Sequence, residues 1–218
     1  MTPNDVMGQL TAALIGWAGL LKDPQYVRNG NTITWVNAQN IMLPEQLTRD
    51  RTRELSRNRQ FSFRIASDDS VLQIGYKFGP DGVKQARLAF YEVGLLEESD
   101  LDSIYPLPEE DEINPVRWVR FDYNSETEYR VLHMNSHLHM SGLPGTRFAV
   151  AGVPSPKQFI EFVFSHFYPT DYEMRRLNGD GRFESFQTID AINADRFNCG
   201  ADPMEVYRRV PHLLIPGF

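Results

Sequence analysis

Three of the five histidines in this chain lie at alternating positions of one short segment. In residues 129–140 apolar side chains occupy positions 132, 134, 138 and 140, while polar side chains occupy the positions between them. Side chains alternate across a β-strand, so this pattern predicts a strand with His133, His137 and His139 on one face. Imidazole titrates near neutral pH, and such a row is therefore suited to acid–base chemistry.

A second alternating segment precedes the histidines at residues 117–123, and residues 124–127 are typical of a hairpin loop. If the two strands pair with their apolar rows together, Arg120 and Asp122 share the face of the histidines. A slip of one residue would move both to the opposite face. The turn at residues 142–147 is expected to bring Arg147 toward the same site.

The chemistry that this group suits best is metal-free phosphodiester cleavage. His137 and His139 are the candidate general base and acid, with His133 beside them. Asp122 would orient an imidazole, and Arg120 would hold the phosphate through two parallel hydrogen bonds. This interpretation requires no cofactor and predicts RNA or a nucleotide as substrate.

Two alternatives remain open. The histidines could line a polar sheet face and bond to neighbouring carbonyl groups, with no function beyond structure. His137 and His139 could instead bind a zinc or manganese ion, with Asp122 or His133 completing the site. No His-Glu-x-x-His motif or second acidic cluster accompanies the pair, which favours the metal-free interpretation.

The elements that would position these residues form an antiparallel pattern. Alternating segments at 61–65, 72–78 and 86–93 are joined by short connections and predict a meander, which continues at 116–123 and 128–140. Thr2 and Pro3 begin an amphipathic helix that we expect to reach Leu21. Ser155 and Pro156 begin a largely apolar helix that we expect to end at Pro169, and weaker helical patterns lie at 184–197 and from Asp202.

These elements predict one α+β domain over residues 1–218. Its antiparallel sheet should have about five to seven strands, with the N- and C-terminal helices packed on one face. Residues 94–115 contain prolines and acidic residues but no lysine or arginine. This composition predicts an acidic surface excursion.

Arginines at positions 49, 51, 53, 57 and 59 alternate with acidic residues in the segment 45–60, which predicts an exposed helix. Such a charge mixture favours a solvated helical face over a phosphate-binding surface.

Charge and composition narrow the class of protein. The net charge of −7 opposes nonspecific nucleic-acid binding, but eight acidic residues fall within 94–114 and the remainder is close to neutral. Cys199 is the only cysteine, which excludes an internal disulfide and favours a reducing compartment. The apolar stretch 7–21 is interrupted by glycines and polar residues, so we expect no membrane segment and a cytoplasmic protein.

Several local sequences resemble an uncharacterised bacterial family, the domain of unknown function numbered 2290, over about the C-terminal half. The matching residues are Arg120-Phe121-Asp122-Tyr123, His137-Leu138-His139, Pro154, Phe159-Ile160 and Phe167-Tyr168. The resemblance implies a toxin-like or phage-defence-associated intracellular effector and assigns no catalytic residues.

The sequence thus predicts a ribonuclease-like phosphodiesterase. One alternative is a non-catalytic subunit that binds a protein partner through residues 94–114. The other is a metal-dependent hydrolase that uses His137, His139 and Asp122.

Overall fold

The computed structural model describes six parts of the chain, which together contain four helices and nine strands. The described residues are 1–38, 48–93, 116–126, 135–143, 146–150 and 152–177. The helices are α1 (Pro3–Gly16), α2 (Arg49–Arg57), α3 (Pro156–Phe167) and α4 (Pro169–Leu177). The strands are β1 (Leu21–Lys22), β2 (Tyr26–Asn29), β3 (Thr32–Trp35), β4 (Phe63–Ile65), β5 (Val71–Gly79), β6 (Gly82–Tyr91), β7 (Trp118–Asn124), β8 (Ser136–Met140) and β9 (Phe148–Ala149).

All described strands belong to one antiparallel sheet. Its main path runs β1-β4-β5-β6-β7-β8-β9, and the β2–β3 hairpin joins through β3 to β5. Strand β5 therefore pairs with β4 near its start, with β3 near its end and with β6 along its other edge. The predicted α+β fold with an antiparallel meander is confirmed.

The sheet has more strands than the predicted range because several are very short. Strands β1 and β9 contain only two residues each. Segments of this length carry too little alternation to be recognised in a sequence.

Both long helices begin as their sequences predict. Thr2 Oγ1 accepts a hydrogen bond from the Asp5 amide, and the Asp5 carboxylate accepts one from the Thr2 amide. Ser155 and Gln158 form the same reciprocal pair at the start of α3. Each pair satisfies amide groups that have no partner within the helix, and proline occupies the first helical position in both cases.

Helices α1 and α3 pack on one face of the sheet, as predicted. The rings of Trp17 and Phe164 stack with centroids 4.1 Å apart and planes 8° from parallel. The core beneath them is formed by fully buried side chains of the sheet, including Phe63, Leu72, Ile74, Leu88, Phe90, Val119 and Phe121. Because these residues alternate along their strands, their neighbours face the other side.

The opposite face has a smaller apolar cluster under α2. Leu55 of α2 contacts a group that contains Phe61, Val71, Ala89 and Tyr91, with Trp118 packed at its margin. This cluster covers only part of the sheet. The polar residues of β6, β7 and β8 lie on the rest of the same face.

One helix boundary was predicted wrongly, and one helix was missed. Helix α1 ends at Gly16 rather than near Leu21, because Leu21 pairs with Ile65 as a strand residue. Pro169 ends α3 but also occupies the first position of α4, where a proline without an amide hydrogen is well tolerated. Helix α4 has no counterpart in the sequence interpretation.

Some predictions lie outside the described residues. They are the acidic excursion at 94–115, the first half of the histidine strand at 129–134 and the helical patterns after residue 178. Among the described helices, none has the length and hydropathy required to cross a bilayer.

Candidate functional site

The register of three strands brings the polar residues together. Arg120 and Asp122 of β7 stand directly opposite His139 and His137 of β8, respectively. In this register the arginine and the aspartate share the face of the histidines, as predicted. The predicted hairpin loop at 124–127 is wrong, because Tyr123 pairs with Ser136 rather than with a residue directly after that loop. The structure therefore groups four of the five predicted site residues, and His133 lies outside the described residues.

Asp122 connects the group through two arginines. The Nε of Arg120 donates to Asp122 Oδ2 at 2.6 Å, and the Nε of Arg87 donates to Oδ1 at 2.9 Å. Arg87 lies opposite Asp122 on β6. Sequence reasoning missed Arg87, because more than twenty residues separate β6 from β7 and the alternation of each strand alone does not fix their register.

The two histidines form the other side of the group. The rings of His137 and His139 meet edge to face with centroids 4.8 Å apart. His139 Nε2 lies 3.8 Å from Asp122 Oδ2, and the exposed fractions of these two side chains are 14% and 18%. We call Arg87, Arg120, Asp122, His137 and His139 the β7–β8 cluster.

Burial and positive charge keep His139 neutral. Burial is the largest cause that lowers the pKa of His139, and the charges of Arg120, His137 and Arg147 lower it further. Asp122 acts in the opposite direction, but the pKa still falls to about 4. At neutral pH the ring therefore has one nitrogen free to accept a proton.

Asp122 remains ionised in the same environment. Burial acts to raise the pKa of Asp122, but the charges of Arg120 and Arg87 and their hydrogen bonds together lower it. Nearby, burial raises the pKa of Tyr91 to about 12 despite the charge of Arg120. Tyr91 is thus a neutral phenol that contacts the cluster.

The predicted approach of Arg147 agrees with the structure. Arg147 is exposed and immediately precedes β9, whose Ala149 stands opposite His137. Gly142, in the turn after β8, has a φ of 82°, a conformation that favours glycine. Among the described residues of the site, Arg87, Arg120 and Arg147 outnumber the one carboxylate, that of Asp122.

Three residues of the cluster are also candidate ligands for a metal ion. The ligand atoms of Asp122, His137 and His139 lie within 4.8 Å of one another. Two neutral imidazoles and a carboxylate are a common donor set for zinc or iron. However, both Asp122 oxygens already accept arginine hydrogen bonds, and the surrounding arginines oppose a divalent cation.

His166 lies on α3, and its side chain is exposed. Its Nδ1 lies 2.8 Å from the Phe162 carbonyl oxygen, and its ring stacks on Phe162. Helix α3 packs on the face of the sheet opposite the β7–β8 cluster, so the sheet separates His166 from the cluster.

The fold and the site define an antiparallel α+β domain with a charged histidine cluster on its less covered face. The chain belongs to the family described as "Uncharacterized conserved protein (DUF2290)", which matches residues 22–201. The match begins at the second residue of β1 and includes β2 to β9, so it extends well beyond the C-terminal half indicated by the sequence motifs. No curated protein and no solved structure matches the chain.

Proposed function

We propose that this protein is a metal-independent phosphodiesterase that cleaves RNA. The observation that supports this function is the placement of His137 and His139 directly opposite Asp122 and Arg120 on one sheet face. Two imidazoles provide the proton acceptor and the proton donor that phosphodiester cleavage needs. The neighbouring arginines provide positive charge for the phosphate.

Arg120 and Arg147 are the groups that would contact the phosphate. Arg120 uses its Nε for Asp122, which leaves its terminal nitrogens as further donors. Arg147 is exposed and close enough for its charge to act on His139. Asp122 holds Arg120 and Arg87 in place, so it acts as a positioning residue.

We assign the base to His139 and the acid to His137. His139 is neutral at neutral pH and accepts the proton of the ribose 2′-hydroxyl, whose oxygen then bonds to phosphorus. The bond between phosphorus and the 5′-oxygen breaks, and that oxygen takes a proton from His137. The products are a 2′,3′-cyclic phosphate and a free 5′-hydroxyl.

The bound substrate would raise the pKa of His139. A phosphodiester anion beside Arg120 and Arg147 offsets the positive charges that lower the pKa of His139. The imidazole would thus become more basic only when substrate is present. A base whose pKa approaches the working pH is more effective.

A metal-dependent hydrolase is the second candidate, and the spacing of Asp122, His137 and His139 favours it. In that case Asp122 would exchange an arginine hydrogen bond for the metal, and activity would require the ion. Elemental analysis of the purified protein and activity in excess chelator separate the two reactions.

The first experiment measures cleavage of a labelled RNA in excess chelator by wild type, His137→Ala and His139→Ala. We expect each substitution to reduce the rate about 100-fold or more, the usual effect of removing a general acid or base. His166→Ala is a matched control, because this histidine is exposed on α3, away from the cluster. Equal rates in all four proteins would contradict the proposal.

In the cell this activity would suit a cytoplasmic effector. Expression of the wild type should then stop growth and degrade RNA, whereas His139→Ala should be tolerated. If the cluster variants retain full cellular activity while folding normally, a non-catalytic subunit that binds a protein through residues 94–114 becomes the better account.

A further inference from the structure

A polar groove lies beside the sheet, between the end of β3 and the end of α2. Residues 36–38 form one wall and residues 57–60 form the other. Asn37 Nδ2 donates to the Asn58 carbonyl oxygen at 3.0 Å, which ties the two walls together. The groove offers roughly 680 Å³, a volume within the usual range for small-molecule sites.

The described residues that line the groove include two arginines and no carboxylate. Arg57 and Arg59 are both exposed, and neither pairs with a carboxylate among the described residues. Arg59 also has a φ of 52°, in the left-handed region where glycine is preferred after a helix. An anion is therefore the ligand that complements this groove.

Trp35 directly precedes Val36, the first residue of the groove wall, and its indole lies over Gly75. The point where a Cβ on Gly75 would lie is 3.6 Å from Trp35 Cζ3, so the indole covers this glycine. The indole is partly exposed, and its buried Nε1–H has no hydrogen-bond acceptor among the described residues. Aromatic rings beside positive charge are typical of surfaces that bind unpaired bases.

A continuous cross-strand row connects Trp35 to the histidines. Gly75 stands opposite Arg87, Arg87 opposite Asp122, and Asp122 opposite His137. Gly75 and Arg87 are both accessible to solvent. Three strand spacings separate Gly75 from His137, which is about 14 Å and calls for an oligonucleotide rather than a mononucleotide.

We propose that single-stranded RNA lies along this row, with one nucleotide in the groove, its base against Trp35 and the scissile phosphate at the β7–β8 cluster. This inference rests on the proposed function and specifies its substrate class. A base stacks on Trp35 only when it is unpaired, which selects a single strand over a duplex. Arg57 and Arg59 contact the phosphates of the nucleotide in the groove.

The test uses the full chain and a labelled 2′-O-methyl RNA decamer, which lacks the reactive hydroxyl and stays intact. Fluorescence anisotropy gives its affinity over a range of salt concentrations. We expect Arg57→Gln with Arg59→Gln to weaken binding about tenfold and to reduce the slope of log K against log salt by about 1.4. The preference for the decamer over a nucleoside monophosphate should fall accordingly.

Matched variants separate the groove from general effects. Arg51→Gln removes one positive charge, as each single groove substitution does, from an exposed position of α2 outside the groove, and it should change affinity less than twofold. Trp35→Ala should weaken binding at least fivefold, and Trp35→Phe should restore most of it because it keeps an aromatic ring.

Three results would overturn the inference: an equal effect of the Arg51 and Arg57/Arg59 substitutions, equal affinity for duplex RNA, or displacement of the decamer by polyglutamate at equal charge concentration. The last result would indicate an acidic protein segment as the occupant. If wild type binds the decamer through the groove but cleaves no RNA, only the proposed reaction fails. If it cleaves RNA and the groove variants bind normally, only the groove assignment fails.

Discussion

Asp122 and His139 approach to 3.8 Å between Oδ2 and Nε2, yet His139 is neutral because burial and the nearby positive charges outweigh the carboxylate. Asp122 directs its oxygens at Arg120 and Arg87 instead. The carboxylate thus fixes the arginines, and the arginines help to keep the imidazole unprotonated. This arrangement leads to several measurable outcomes.

The first outcome concerns the pKa of His139 itself. Arg120→Gln removes one of the charges that lower it, so the pKa should rise above about 4 while burial keeps it below 6.5. Arg147→Gln should produce a smaller rise, since its charge is a weaker cause. An NMR titration of the imidazole protons measures both values. A fall in either variant would contradict the electrostatic account.

The same shift makes stability depend on pH. The pKa of His139 is about 4 in the folded chain and 6.5 in its ordinary state, so the unfolded chain binds more protons between these values. The free energy of unfolding should therefore decrease as pH falls from 6.5 to 4, by about 2 kcal/mol from this residue.

Urea unfolding at several pH values measures this dependence. His139→Gln should have a shallower slope over the same interval, with His166→Gln as the control. Parallel curves for wild type and His139→Gln would show that His139 does not cause the dependence.

The bridge formed by Asp122 should contribute to stability. Asp122→Asn keeps the size of the side chain but removes the charge that two arginines contact, and we expect a loss of about 1–3 kcal/mol. Arg87→Gln should cost less, because the side chain of Arg87 is 45% exposed whereas that of Asp122 is 18% exposed. Chemical denaturation of the three proteins checks this order, and the reverse order would contradict it.

The start of α3 provides a test of the scaffold that is independent of the site. Ser155→Ala removes the acceptor for the Gln158 amide and should cost about 1 kcal/mol. Ser155→Asp keeps an acceptor at this position and should retain most of the stability. If thermal unfolding shows that Ser155→Asp is as unstable as Ser155→Ala, then capping by residue 155 does not stabilise the start of α3.

The sequence was sufficient for the shared face of Arg120, Asp122, His137 and His139, because alternation determines the face of a strand. It was insufficient for their register, because the predicted loop at 124–127 would have paired Tyr123 with a residue close behind that loop, whereas Tyr123 pairs with Ser136. It was insufficient for Arg87, which joins the site from the preceding strand across a segment of more than twenty residues. It was also insufficient for the two-residue strands β1 and β9, whose structure depends on their neighbours rather than on their own pattern. The pKa of His139 depends on burial and on charges from several strands, which only the folded chain brings together.

The most direct test of the proposed reaction is identification of the product made from a short RNA in excess chelator, by mass spectrometry. We expect a 2′,3′-cyclic phosphate from RNA, no cleavage where the single ribose at the cut site is replaced by 2′-deoxyribose, and loss of product in His139→Ala. Cleavage of the deoxy-substituted strand, or activity that appears only when a divalent metal is added, would contradict it.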